Sequence, residues 1–178
     1  MKVKIIPYCE VDGIRTFSDS EIKGLWERFM SQGSAPTFTK GMYFRDANEW
    51  LYRMKHCENH LYVCMVENEI GGCFWLNGFQ EKFCQIHYFI YKSFFGKGKD
   101  YCIDIMRQIF SWIDGDGKPL FDMLLGITPK DNSLAVRFMK KCGWKLSHEI
   151  PCVWWDEKEQ VSKPGYISYI TLADLEDK

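Results

Sequence analysis

The chain has 178 residues, of which 46% are hydrophobic and 26% charged, a balance typical of one soluble globular domain. A formal net charge of -1 without a long basic run argues against a nucleic-acid partner, and no segment approaches the ~18 consecutive apolar residues of a membrane span. Eight dispersed cysteines without a CxxC pair, and an N-terminus without a signal-peptide pattern, predict a reduced, cytoplasmic protein. The 16% aromatic content predicts a bulky core or an aromatic-lined groove.

The first third of the chain predicts one strand and two helices. Val3–Tyr8 is a short apolar run that ends before the turn at Asp12-Gly13. The segment Ser18–Glu21 is a capping box, and small residues with a proline at Ser31–Pro36 end the helix behind it. The apolar face of that helix consists of Ile22, Leu25, Trp26 and Phe29. A second helix is predicted over Asp46–His56.

The remainder predicts a β meander followed by alternating strands and helices. The three meander strands are Leu61–Val66, Cys73–Phe79 and Phe83–Tyr91. The later elements are a helix over Asp100–Trp112, a strand over Leu120–Ile127, a helix over Asn132–Cys142 with Gly143 as its cap, and strands at Trp144–Trp155 and Gly165–Leu172.

The element order is therefore β-α-α-β-β-β-α-β-α-β-β. A strand, a glycine loop, a helix and a second strand in the middle require a crossover between parallel strands, whereas the flanking hairpins are antiparallel. We predict a single α+β or α/β domain over residues 1–178, with a mixed central sheet of about seven strands and about four flanking helices. The last two strands could pair across a homodimer.

A glycine-rich turn between a strand and a helix carries the main chemical signal. The turn has the sequence Phe94-Phe-Gly-Lys-Gly-Lys-Asp100, with Gly96 and Gly98 and two lysines. Backbone N–H groups and the helix dipole at such a turn favour a phosphate or pyrophosphate. The alternative is a plain β-to-α turn in which glycine only relieves geometry. Neither a Walker A loop nor a Rossmann GxGxxG is present.

Two segments resemble the conserved motifs of the GNAT N-acetyltransferases. The segment around "FFGKG" is similar to motif A, a strand followed by Q/R-x-x-G-x-G/A at a helix N-terminus. The segment Asn132–Trp144, "NSLAVRFMKKCGW", resembles motif B, N-x-x-A-x-x-x-Y-E-K-x-G-F. The stretch "LAVRFMKKCGW…IPCVWWDE" is also similar to GNAT-like proteins of bacteriophages.

The resemblance implies a site for acetyl-CoA as a substrate. The strand residues that would pair with pantetheine are Tyr88, Phe89 and Ile90. The residues that would surround the pyrophosphate are Phe95, Gly96, Lys97, Gly98, Lys99 and Asp100. Asn132 would contact the cofactor from the next helix, and it is equally suited to be that helix's N-cap.

Three positions depart from the family pattern. Phe95 replaces the Q/R of motif A, and Asp100 places a carboxylate where the pattern has a small residue. Asp100 would repel a pyrophosphate unless it points away or pairs with Lys97 or Lys99. Met139 replaces the motif B tyrosine, which in the family often protonates the departing thiolate.

Candidate catalytic groups lie on the strand of motif A. His87 has an unperturbed pKa of about 6.5, which suits a general base, although it is also compatible with a histidine packed in the sheet. Tyr91, and second to it Tyr88, could supply the missing acid. Cys84 and Cys142 are interpreted as packing residues.

Two further features have modest interpretations. The segment His56–His60 holds two histidines and a cysteine, but a solvated helix end is the better interpretation and no metal is predicted. The pair Trp154-Trp155 points to opposite faces of a strand, so one ring enters the core and the other could line an acceptor pocket or an interface.

These residues predict an acetyl-CoA-dependent N-acetyltransferase. The acceptor would be an amine of a small molecule or a peptide N-terminus, attacking the thioester directly. The alternative is a non-catalytic GNAT-fold assembly or interaction protein, for example a phage head-assembly type factor, whose CoA site has decayed.

Overall fold

The computed structural model of the chain describes residues 3–32, 44–157 and 159–176. The strands are β1 (Val3–Pro7), β2 (Glu10–Val11), β3 (Ile14–Arg15), β4 (His60–Val66), β5 (Glu69–Asn77), β6 (Phe83–Ile90), β7 (Met123–Pro129), β8 (Lys145–Leu146), β9 (Ile150–Asp156) and β10 (Val161–Thr171). The helices are α1 (Asp19–Ser31), α2 (Ala47–Lys55), α3 (Gly98–Phe110), α4 (Ser133–Lys141) and the short α5 (Ala173–Glu176), and a 3₁₀ helix at Lys92–Lys97 runs directly into α3.

Eight strands form one mixed sheet in the order β1-β4-β5-β6-β7-β10-β8, with β9 also paired to β10. Only the β6–β7 pair is parallel among these, because α3 carries the chain across from one strand to the other. The strands β2 and β3 form a separate small hairpin. The single α+β domain with a mixed sheet is confirmed, and one more strand joins the sheet than the sequence indicated.

One face of the sheet packs against α1 and α2 through aromatic rings. Phe29 stacks on Phe89 of β6 with ring centroids 4.3 Å apart, and Trp50 lies 5.4 Å from Trp75 of β5. The indole N–H of Trp50 donates to the carbonyl of Ile22 at 2.9 Å, so this buried polar group is satisfied. These rings tie both helices to the centre of the sheet, where the candidate site begins.

The opposite face packs against α3. Tyr101, Ile105 and Ile109 of this helix are buried, and the ring of Trp112 lies 5.1 Å from Tyr62 of β4. The aromatic content therefore serves both a core and, as described below, a groove.

The local helix signals are confirmed. Ser18 and Glu21 form the capping box of α1. Gly143, with φ of 95°, ends α4, and the N–H of Trp144 donates to the carbonyl of Met139 at 3.1 Å. The end of α1, expected at Ser31–Pro36, falls partly outside the described residues.

The strand boundaries differ where glycine was interpreted as a breaker. β5 starts at Glu69 rather than Cys73, because Gly71 and Gly72 lie inside it. A Cβ at Gly72 would stand 2.1 Å from the carbonyl oxygen of Phe89, so glycine here permits close strand pairing. The expected strand Trp144–Trp155 is divided into β8 and β9.

Three further observations concern the surface and the thiols. Among the described residues, no helix has the length and apolarity needed to cross a lipid bilayer. All eight cysteines are free, five of them buried. β10 pairs with β7 along one edge over Gly165–Thr171 and with β8 and β9 along the other edge.

Candidate active site

A cleft opens where two parallel strands of the sheet separate. β6 and β7 pair only from Phe83↔Met123 to Gln85↔Leu125, after which each strand follows its own antiparallel neighbour. Met139 and Trp144 line the widening gap next to Gly126, since a Cβ there would lie 3.4 Å and 3.7 Å from their side chains. The resulting cleft has a volume of about 940 Å³, in the range of small-molecule sites.

The backbone of β6 faces this cleft at alternate residues. The N–H of Tyr91 donates to the carbonyl of Gly71 at 2.9 Å, and β5 and β6 pair without a bulge down to Gln85. The alternation of an antiparallel ladder therefore turns the N–H and C=O groups of Tyr88 and Ile90 toward β7, which has moved away. Tyr88 lines the cleft and has the expected position, whereas the backbone of Phe89 pairs with Cys73 of β5 and is not available to a ligand.

The α1/α2 side of the cleft holds His87. Its ring stacks on Trp75 with centroids 4.8 Å apart, and its Nε2 lies 3.1 Å from Oδ1 of Asn77. Burial lowers the pKa of His87 to about 4, because the charged imidazolium loses its hydration. The structure thus brings His87 to the cleft as a neutral imidazole.

The α4 side of the cleft holds Tyr88. Its hydroxyl donates to Sδ of Met139 at 3.3 Å, and its ring centroid lies 6.0 Å from that of Phe138. Burial raises the pKa of Tyr88 well above its ordinary value, so the phenol stays protonated.

Tyr91 does not reach the cleft. Its hydroxyl donates to the carbonyl of Leu25 in α1 at 3.0 Å, and the guanidinium of Arg28 covers its ring at 4.3 Å. Its side chain is buried against α1, so the structure separates Tyr91 from His87 and Tyr88, which share the cleft.

The glycine-rich turn differs in detail from the expected anion-binding loop. Lys92–Lys97 form a 3₁₀ helix, and Gly98 has helical dihedral angles, with φ of -59°. Neither Gly96 nor Gly98 has a positive φ. Gly98 instead allows close packing, because a Cβ there would meet the ring of Phe138 at 3.3 Å. Phe138 of α4 therefore packs directly against the start of α3.

The charged residues of the turn point to different places. Asp100 lies on a stripe of α3 that continues through Asp104 and Gln108, both of which bond to Val3 in β1. The face of α3 that carries Gly98 and contacts Phe138 of α4 is on another side of the helix, so Asp100 does not oppose a ligand there. Lys97 pairs with Glu67 at 3.5 Å rather than with Asp100. Phe95 and Lys99 are exposed.

Asn132 is the expected N-cap of α4 and also lies at the cleft. It caps α4, its Oδ1 accepting the N–H of Ala135 at 3.2 Å. It is also only 4% exposed and lines the cleft.

Several residues of the cleft were not found from sequence. The side of the cleft next to α2 and β9 includes Phe44, Arg53, Glu58, Trp75, Asn77, Phe79 and Glu157. Trp154 and Trp155 line the same side, and neither is buried in the core, where one of the two rings was expected. Only the tryptophan pair had a signal in the sequence, because the other residues come from elements that no motif connects.

Comparisons with known proteins identify the fold. No protein-family model matches the chain, and no curated protein matches it in sequence. Among solved structures, the spermidine N-acetyltransferase of Vibrio cholerae with CoA and spermine matches at 9% identity over 97% of each chain, with a TM-score of 0.66.

Two further structures give the same result. The aminoglycoside acetyltransferase AAC(6')-Ib with coenzyme A and kanamycin matches at 12% identity over 99% of each chain, with a TM-score of 0.68. An acetyltransferase of Salmonella typhimurium that modifies the N-terminal serine of ribosomal protein L7/L12 matches at 12% identity, over 87% of this chain and 91% of its own, with a TM-score of 0.67. The chain has the fold of the GNAT acetyltransferases, as the two motifs predicted.

Proposed function

We propose that the chain is an N-acetyltransferase that moves an acetyl group from acetyl-CoA to an amine of a small molecule or a peptide N-terminus. The observation that carries the proposal is the exposed backbone edge of β6 at Tyr88, inside a cleft of sufficient size. An N–H group held rigidly in a sheet polarises a thioester carbonyl without reorganising. The three solved structures compared above share this fold and are acetyltransferases for a polyamine, an aminoglycoside and a protein N-terminus.

The acetyl donor would enter on the α4 side. Tyr88 and Ile90 would hydrogen-bond the pantetheine arm through their backbones, and Asn132 would contact it from the start of α4. The turn from Gly96 to Lys99 at the start of α3 would hold the pyrophosphate, with the helix dipole and two lysines favouring the anion.

The acceptor would enter on the side of α2 and β9. Its walls are mainly rings, with Trp75 at the base and Phe79 and Trp155 partly exposed at the mouth. The indole N–H of Trp155 donates to Oε2 of Glu157 at 2.8 Å, which holds a carboxylate beside these rings. An amine carried on an apolar or aromatic body fits this combination of aromatic surface and one fixed carboxylate.

His87 and Asn77 would guide the proton that leaves the attacking amine. A neutral imidazole with a pKa of about 4 accepts a proton only weakly, so the amine must arrive largely deprotonated. The acetyl transfer then proceeds by direct attack, without a covalent enzyme intermediate.

The test is binding of acetyl-CoA followed by product analysis. Acetyl-CoA at about 100 times its Kd should raise the melting temperature by roughly 5–10 °C, because such a ligand stabilises the folded state by about 2.7 kcal/mol. Candidate acceptors are an arylalkylamine, spermidine and a short peptide. The acetylated product should be measured by mass, since Cys9, Cys57 and Cys152 are exposed and would react with a thiol reagent. No thermal shift with millimolar acetyl-CoA would overturn the proposal.

One observation favours a second candidate, a GNAT-fold assembly or interaction protein that does not use CoA. The ring of Phe138 packs on Gly98, at the turn that should hold the pyrophosphate. This candidate predicts that neither the natural chain nor a Phe138→Ala variant binds acetyl-CoA. In either case, five buried free thiols fit a reducing compartment, and we propose the cytoplasm.

A further inference from the structure

An amide bridge, formed by the side chains of Asn59 and Asn77, joins the end of α2 to His87 in the cleft. The NH2 of Asn59 donates to the carbonyl of Arg53 in the last turn of α2 at 2.9 Å. The NH2 of Asn77 donates to Oδ1 of Asn59 at 3.1 Å, and Oδ1 of Asn77 lies 3.1 Å from Nε2 of His87. His87 of β6 pairs with Trp75 of β5, so Asn77 is its diagonal neighbour on the same face of the sheet.

The direction of the three hydrogen bonds is fixed by the end at α2. A backbone carbonyl only accepts, so the Asn59 atom beside the carbonyl of Arg53 is its NH2, and its Oδ1 faces Asn77. The same reasoning places the NH2 of Asn77 at Asn59 and its Oδ1 at His87. An amide oxygen cannot donate, so Nε2 of His87 carries the proton and Nδ1 carries the lone pair.

Nδ1 of His87 is the nitrogen that remains for a ligand. Among the described residues, the only fully buried side-chain N or O atom without a hydrogen-bond partner is the hydroxyl of Tyr101. Nδ1 bonds to none of the described residues, so it is not sealed in the core and reaches the cleft that His87 lines. Burial lowers the pKa of His87 to about 4, so the ring is neutral at pH 7 and Nδ1 is a hydrogen-bond acceptor.

We propose that Asn59 and Asn77 are positioning residues, which hold His87 with its Nε2–H toward Asn77 and the lone pair of Nδ1 toward the acceptor amine. This inference rests on the proposed acetyltransferase function. The amine N–H donates to Nδ1, which aims the lone pair of the amine nitrogen at the thioester carbonyl. Two neutral amides orient the imidazole without charging it, whereas a carboxylate in place of Asn77 would favour the imidazolium and put a proton on Nδ1.

The first test is spectroscopic and needs no activity. In ¹⁵N nuclear magnetic resonance at pH 7, the signals of His87, assigned by their loss in His87→Gln, should show a proton on Nε2 and none on Nδ1. Asn77→Leu removes the acceptor at similar volume, so the two tautomers should become mixed. Asn77→Asp keeps an acceptor, so the Nε2–H tautomer should remain, and the pKa of His87 should rise by about one pH unit or more. A proton on Nδ1 in the natural chain would overturn the proposal.

The second test is kinetic, with whichever of the arylalkylamine, spermidine and the peptide is acetylated fastest. Asn77→Leu should lower kcat/KM for the acceptor by about tenfold, the effect of losing one orienting hydrogen bond, while KM for acetyl-CoA changes less than about twofold. Asn77→Asp should restore most of the loss at a pH above the raised pKa of His87, where the ring is neutral again. Asn48→Leu, at an exposed asparagine of α2 outside the amide bridge, is the control and should match the natural chain. An unchanged kcat/KM in Asn77→Leu would also overturn the proposal.

A double-variant cycle separates positioning from packing. Asn59→Ala frees the amide of Asn77 to rotate, so it should lower kcat/KM for the acceptor by about threefold in the natural chain. It should have no effect in the Asn77→Asp background, because a carboxylate presents an oxygen to His87 in either orientation. Equal losses in both backgrounds would overturn the positioning role and leave the acetyltransferase function standing. An inactive natural chain would overturn the acetyltransferase function, and with it the role toward the amine, whereas the ¹⁵N spectrum still decides the tautomer.

Discussion

The cleft between β6 and β7 and the turn that follows β6 differ in how much room they leave for a ligand. The cleft encloses about 940 Å³ and presents the backbone of β6. The turn at Gly96–Gly98 is helical, and the ring of Phe138 packs on Gly98. The pairing of β6 and β7 with their outer neighbours forms the cleft, whereas the ring of Phe138 packs directly on the turn.

The difference between the cleft and the turn indicates which part of an acetyltransferase-like site tolerates changes of side chain. Each strand at the cleft is held by a full ladder on its other edge, so the gap does not close when side chains vary. An anion site at a helix N-terminus needs an open approach, and one large side chain can close it. Three changes test the two regions, from the largest expected effect to the smallest.

The largest effect concerns the open region and its neutral histidine. Folding lowers the pKa of His87 from 6.5 to about 4. Between these values the unfolded chain binds a proton that the folded chain does not, so the free energy of unfolding should fall as the pH falls, by up to about 3 kcal/mol at pH 4. The free energies of unfolding of the natural chain and of His87→Gln, measured by denaturant unfolding, should diverge between pH 6.5 and 4. If the free energy of unfolding of His87→Gln had the same pH dependence as that of the natural chain, the result would contradict a buried neutral imidazole at His87.

The intermediate effect concerns the closed turn. Phe138→Ala should open the path from the cleft to Gly98 and strengthen acetyl-CoA binding by about tenfold, equivalent to about 1.4 kcal/mol, as measured by calorimetric titration. Leu134→Ala, on an exposed position of the same helix, is the control and should leave the affinity unchanged. Weaker binding in Phe138→Ala would mean that the ring supports the ligand rather than blocking it.

The smallest effect concerns Asp100, the carboxylate that the sequence analysis placed at the expected pyrophosphate site. Asp100 lies on the stripe of α3 that faces β1, so Asp100→Ala should change acetyl-CoA affinity less than about twofold, or about 0.4 kcal/mol. Loss of a favourable charge in the first turn of α3 should cost roughly 0.5 kcal/mol of stability. A tenfold gain in affinity would restore the charge-repulsion hypothesis.

The sequence predicted the strands and helices around the site better than it predicted the side chains that line the site. The order of strands, glycine turn and helix placed Tyr88 and Asn132 at the cleft, because a period of two along a strand and a cap before a helix are local features. It placed Tyr91 at the cleft too, although this residue lies one step beyond β6 and turns toward α1. The side of the cleft next to α2 and β9 could not be predicted, because Phe79, Glu58 and Glu157 are distant in the chain.

The amino-acid sequence by itself determined the helix caps, the crossover between parallel strands and the fold. The caps depend on interactions between residues close in the chain, such as the capping box of α1 and Gly143 after α4, and the crossover and the fold followed from the order of the elements. Only the tertiary structure decided that Phe138 closes on Gly98, that Asp100 faces β1, and that Tyr88 donates to Met139. Those contacts depend on how α3 and α4 sit against the divided sheet, and helix packing is a long-range property that no local pattern specifies.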